Sequence, residues 1–333
     1  MLSRRELLKL SLGAGGALIL PSTLRAAAFA NRPIHGGWIK SDEARREFIR
    51  NTDKPFFADA ARSLKGSSAG KATLLWPYYE SVTKEKFTPF YQEIGDCVGE
   101  AGVLGAQFLA AIQIALLKRN EQWKGPFSVE YSYAASRVEI GGGKIRRGDG
   151  STGSWMAEAL QRYGLLPRGV YGKYDLTKYR PDLGRAWGRT GVGVPDELEP
   201  IAKEHPVKTA TLVENWEQAA DSISNGYPVL LCSSVGYNDE TDRVGFLHHG
   251  RIVWYHAMLL IGVDRRPGKR EGGCIANSWG DNWLTGPKHE LGTPAGCFWA
   301  ERRDIEKAIL QGDTFALSNY VGYPRRNLDY LLF

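Results

Sequence analysis

Apolar positions within residues 99–117 recur at three- and four-residue steps: Val103, Leu104, Phe108, Leu109, Ile112 and Leu116. That period predicts a buried helix beginning beside Cys97. Two further helical stretches are expected at 129–138 and 154–163. Between them lies a glycine-rich, basic loop, 141–150, which reads as solvated surface and not as an anion site. Beyond about residue 191 the texture changes. One more helix is expected at 213–225, followed by apolar runs of strand length at 229–235, 252–263, 273–278 and 296–300. Helices first and strands second predict an α+β chain with a helical half and a strand-rich half, and the cleft between them is the natural place for a site.

The N-terminal region is different in kind. Arg4, Arg5 and Lys9 precede a moderately apolar stretch through Leu20, and small residues end in Ala28-Phe29-Ala30. This resembles a twin-arginine export signal with cleavage near Ala30, which implies passage through the twin-arginine machinery to the periplasm or the exterior. The apolar run is too short and interrupted for the roughly 18 residues that a membrane span needs, and no later stretch suffices, so a soluble mature chain is expected. Residues 31–72 are mixed and polar, with a charged helix-like piece at 41–50 and a Gly/Ser/Lys-rich stretch at 63–71 that reads as a flexible connector. They form an N-terminal arm or a short pro-region; without a strong helical propeptide pattern, the plain arm is the favoured reading.

Composition adds mainly exclusions. The formal net charge is +6, and Arg4, Arg5, Lys9 and Arg25 against Glu6 account for half of it, so the remainder does not point to nucleic acid. His248 and His249 are adjacent, and on a strand would face opposite sides with no metal-spaced cluster around them. Gly141-Gly142-Gly143-Lys144 lacks phosphate-loop spacing. No metal or organic cofactor is expected. Of four cysteines, Cys232, Cys274 and Cys297 lie in apolar or strand-like surroundings, where an inert buried thiol is the default, although a Cys274–Cys297 bridge stays open.

Cys97 is set apart from these three. At the start of an apolar helix, backbone N–H groups and the helix dipole favour thiolate over thiol. His256 opens the nearly continuous apolar run to Val263, where an imidazole at the rim of a buried strand can be held against a thiol. Asn277 ends the next strand-like run and can hydrogen-bond the far ring nitrogen while Trp279 shields it.

Asn277-Ser278-Trp279-Gly280-Asp281-Asn282-Trp283 resembles the asparagine motif of papain-like cysteine peptidases, His256-Ala257 their histidine motif, and residues 92–98 a divergent cysteine motif. The resemblance spans about 75–309 and implies a two-lobed peptidase domain over 73–333. It also implies a Cys97–His256–Asn277 centre, Gln92 as an oxyanion donor, substrate contacts from Gly153, Ser154, Cys232 and Tyr255, and support from Trp279 and Trp283. Such a centre hydrolyses peptide bonds of a polypeptide through a thioester acyl-enzyme. The chain also departs from the family pattern. Ile94 stands where the family has a structural cysteine, Val98 where it has an aromatic, and Gln92 is one position closer to the nucleophile than usual. Cys97 and His256 lie farther apart than the family's roughly 130–150 residues. Asp96 beside Cys97 should oppose thiolate formation unless it points to solvent. These departures motivate the rival reading of a catalytically inactive papain-like structural or binding module; an acyl transferase using the same thioester chemistry is a third.

Overall fold

The computed structural model describes residues 36–117 and 122–328, all within one compact unit, so the expected export signal lies outside the described residues. The charged helix-like piece forms α1, Asp42–Asn51. Ser41 caps it by accepting a bond from the Ala44 N–H, Asp42 and Glu43 face the positive end of the dipole, and Arg50 faces the negative end. Its Phe48 packs edge-on against Phe315 at 5.0 Å, which ties the arm to the far sheet. Strand β1 (Ala72–Leu74) leads into α2 (Trp76–Thr83) and then into the long α3 (Cys97–Leu117).

Helix α3 is long and apolar enough to cross a membrane by composition, but most of it is buried inside the fold. Glycines let its neighbours approach: a Cβ on Gly102 would come within 2.7 Å of Met156, and one on Gly105 within 2.8 Å of Leu317. The helical half continues with α4 (Val129–Ala134), which runs on as a π-helical stretch, Ala135–Ile140, and with α5 (Gly153–Arg162) and α6 (Pro181–Trp187). A small hairpin, β2 (Val170–Tyr171) with β3 (Tyr174–Asp175), lies between the last two.

The strand-rich half contains β4 (Thr209–Leu212), α7 (Trp216–Ser224), β5 (Val229–Ser233), β6 (Phe246–Leu247), β7 (His256–Asp264), β8 (Gly272–Ala276), β9 (Cys297–Glu301), α8 (Arg302–Ile309) and β10 (Asp313–Ser318). The sheet runs β4-β10-β5-β7-β8-β9-β6, and β1 pairs with the end of β7 beyond β5. Every residue of β7 is buried, as a central strand with both edges paired requires. Its register places Ser233 opposite His256 and Leu259 opposite Ala276, so that His256 and Asn277 emerge at the same end of adjacent strands.

The α+β expectation holds, with local differences. The apolar run 252–263 is strand only from His256 onward: Ile252 and Val253 are exposed, and Tyr255 takes a left-handed φ of 46° that turns the chain out of the sheet. Strands β4 and β10 were not legible as alternating patterns because both faces of β10 are buried. Residues 63–71 are not a loose connector. The Asp221 carboxylate accepts bonds from the Gly66 N–H and from the Ser68 N–H and hydroxyl, and Arg265 donates to the same hydroxyl. All four cysteines are free and buried; Cys274 faces Trp299 and Cys297 faces Ala276 across β8 and β9, and no bridge joins them.

Gly164, which ends the turn after α5, has φ +69°, and a Cβ there would lie 2.1 Å from the Ala202 carbonyl oxygen. Gly164→Ala therefore combines a left-handed penalty with a backbone clash, and a loss of about 2 kcal/mol or more is expected in urea unfolding.

Candidate active site

The sequence motifs meet at the cleft between the two halves. Cys97 is the first residue of α3, and its Sγ accepts a hydrogen bond at 3.3 Å from the backbone N–H of Ala257, the residue after His256. His256 Nε2 and Asn277 Oδ1 are 2.7 Å apart, so the amide oxygen fixes the ring tautomer with the proton on Nε2. The ring of Trp279 stacks on the imidazole at 4.8 Å and 27°, and Trp254 and Trp283 pack against Trp279 in turn. Trp283 is held by donating to the Gly296 carbonyl at 2.9 Å. The imidazole can therefore swing little.

Gln92 is anchored across the cleft to the asparagine motif. Its backbone N–H donates to the Ser278 carbonyl at 3.0 Å, its side-chain oxygen accepts from the Ser278 hydroxyl, and its side-chain nitrogen donates to the Ile94 carbonyl at 2.8 Å. Cys97, His256, Asn277 and Gln92 are all buried.

Burial decides the ionisation state. It pushes the Cys97 thiol well above its ordinary value and holds the His256 imidazole down at about 4, against the partial support of Asn277. Both are neutral at pH 7, and the Nδ1 of His256 has no hydrogen-bond partner among the described residues. Among the described residues Asn277 Nδ2 and Trp279 Nε1 are likewise buried without a hydrogen-bond partner.

Asp96 does not point to solvent. It is buried behind Cys97, accepting from the Tyr179 hydroxyl at 2.7 Å, and burial, with nearby Glu130 and Asp149, pushes its carboxyl up to about 8. At neutral pH it is mostly protonated, and its expected opposition to a thiolate largely falls away.

The segment 36–39 runs across this site. Gly37 and Trp38 N–H groups both donate to the Tyr255 carbonyl at 3.0 Å, while Ile39 N–H donates to the Ser151 carbonyl and Ser151 N–H to the Gly37 carbonyl. A Cβ on Gly37 would lie 2.2 Å from the carbonyl of Gly95, two residues before Cys97, so only glycine passes there. Trp38 donates its indole N–H to the buried Asp313 carboxylate at 2.7 Å and stacks on Tyr255. Asp313 also accepts from the Gly153 and Ser154 N–H groups and the Ser154 hydroxyl.

This refines the expected substrate contacts. The backbone N–H groups of Gly153 and Ser154 are committed to Asp313, and the residue that pairs with an extended segment in the cleft is Ser151. Cys232 lies at the same wall, with its Sγ 2.9 Å from where a Gly153 Cβ would be. Ser151 opens the loop 151–155 within which Gly153 and Ser154 were the expected contacts, and Asp313 was not legible because it lies on a strand without a polar pattern.

No family model and no curated protein sequence matches the chain. Solved structures do. The chain is similar to xylellain, a cysteine protease from Xylella fastidiosa, at 17% identity and a TM-score of 0.55 over 85% of this chain and 96% of that one. It is also similar to digestive procathepsin L2 proteinase from the larval midgut of Tenebrio molitor, at 14% identity and a TM-score of 0.51 over 94% and 87%. With its helices, mixed sheet and intervening cleft, the chain has the papain-like protease fold.

Proposed function

We propose that the chain is an exported cysteine peptidase captured with its own N-terminal segment lying across the cleft. The observation that carries the reading is the His256–Asn277 hydrogen bond beneath Trp279, with Cys97 one backbone group away at the head of α3. An inactive scaffold has no use for an orienting amide, a shielded imidazole and a thiol at the head of a helix brought to one point. Export through the twin-arginine machinery, to the periplasm or beyond, is part of the proposal and rests on the sequence of residues 1–30 alone.

Once the segment leaves and water enters, Cys97 and His256 share a proton as thiolate and imidazolium, with the helix dipole favouring the thiolate. The thiolate attacks a peptide carbonyl. The Cys97 backbone N–H and the Gln92 amide, after turning from Ile94, hold the developing oxyanion. His256 protonates the leaving amine and then activates the water that hydrolyses the thioester, while Asn277 keeps the ring in register. Trp38 marks what the wall of Gly153, Ser154 and Cys232 receives: a large side chain with an N–H donor for Asp313.

Hydrolysis of a mixed peptide pool by protein freed of its N-terminal segment tests the reading. In that assay Asn277→Ala should lower kcat by about 10- to 100-fold, the equivalent of one strong orienting hydrogen bond, with KM little changed. Absence of hydrolysis by folded, unblocked wild-type protein would favour the inactive module.

A further inference from the structure

The basic loop read from sequence as solvated surface forms one wall of a cavity of about 380 Å³ whose lining does not include Cys97. Four guanidinium groups line it, from Arg137, Arg146, Arg185 and Arg189, against a single carboxylate, Asp149. Arg137 is the fixed floor. It sits on the π-helical stretch and is buried, and all five of its donors are committed: Nε to Gly188 O, Nη1 to Tyr133 Oη and Gly150 O, and Nη2 to Ile145 O and Gly148 O. None of those acceptors carries a formal charge. Arg185 forks onto Asp149 at 3.0–3.3 Å, and Asp149 is held below its usual range chiefly by that pairing against the cost of burial.

Arg146 and Arg189 are the telling pair. Both are exposed and line the cavity, one on the loop and the other just beyond α6, and neither has an ion-pair partner among the described residues. Two unpaired guanidiniums facing one concavity over a buried third repel one another, and an oxyanion between them removes that repulsion while offering each a two-pronged contact. The volume holds on the order of a dozen waters at roughly 30 Å³ each, more than one tetrahedral oxyanion needs. We propose that this cavity binds a small anion carrying two linked phosphates, and that its occupancy is felt in the catalytic cleft. The link is Asp149, whose Oδ2 also accepts from the Gly95 N–H at 3.2 Å, and Gly95 is the residue against which Gly37 packs. An anion that competes for Arg185 changes the charge balance on Asp149 and so its hold on Gly95.

The test is calorimetric titration of the full chain with inorganic pyrophosphate at low ionic strength, with sulfate as comparison, alongside the rate of Cys97 alkylation followed by peptide mapping. None of these readouts requires peptidase activity. The expected result is one saturable site of micromolar affinity that prefers pyrophosphate to sulfate. It should weaken at least tenfold in the Arg146→Ala/Arg189→Ala double variant and be unchanged in Arg325→Ala, an exposed arginine elsewhere. Saturation should shift the Cys97 alkylation rate at least threefold in wild type and not in the double variant. No saturable binding, or equal affinity in the double variant and wild type, overturns the site; binding that leaves the alkylation rate unchanged overturns the link to the cleft.

Discussion

Protein expressed from Ser41, which keeps α1 but lacks the segment across the cleft, is expected to react with a peptidyl epoxide at Cys97 about 100-fold faster than the full chain. The segment is held by four backbone hydrogen bonds to Tyr255 and Ser151 and by the Trp38 indole on Asp313. At a net of about 1 kcal/mol per neutral bond and somewhat more for the one to a carboxylate, its detachment costs enough to keep the open population below one part in a hundred. Gly37→Ala should move the full chain in the same direction, because its methyl cannot fit over the Gly95 carbonyl. Accessibility by mass spectrometry reads both.

The second large effect is expected of His256→Ala in the shortened protein: a fall in kcat of about 10²–10⁴, the usual span for a positioned general acid and base. Among the described residues no other imidazole contacts Cys97, whose Sγ is bonded by the Ala257 N–H, so the proton relay has no substitute there. Asp96→Asn offers the contrast. Asp96 with a carboxyl near 8 is already neutral at pH 6, so that variant should stay within about threefold of wild type there and diverge only above pH 8. Steady-state kinetics at pH 6 and pH 9 separates the two roles.

These expectations rest unequally on sequence. The helix headed by Cys97 and the strand headed by His256 were legible because apolar patterning is a local property, and Asn277 because it ends a strand-like run and residues 277–283 resemble a contiguous family motif. The occlusion was not legible. It depends on Gly37 meeting Gly95 and Trp38 reaching Asp313, contacts between residues far apart in the chain, and the only local sign was a glycine pair followed by a tryptophan. Residues 63–71 looked like a connector because serine and glycine are common in loops, whereas Ser68 is a buried partner of Asp221. The position of Asp96 could be read, but its charge could not, since burial and Tyr179 set it.

The most direct measurement of the central claim is mass-spectrometric mapping of the adduct that a peptidyl epoxide leaves on the shortened protein between pH 5 and pH 8. The account predicts a single adduct on Cys97, absent in Cys97→Ala and formed at least tenfold more slowly in His256→Ala. Folded, shortened protein that acquires no adduct, or acquires it on Cys232, Cys274 or Cys297 instead, would contradict it.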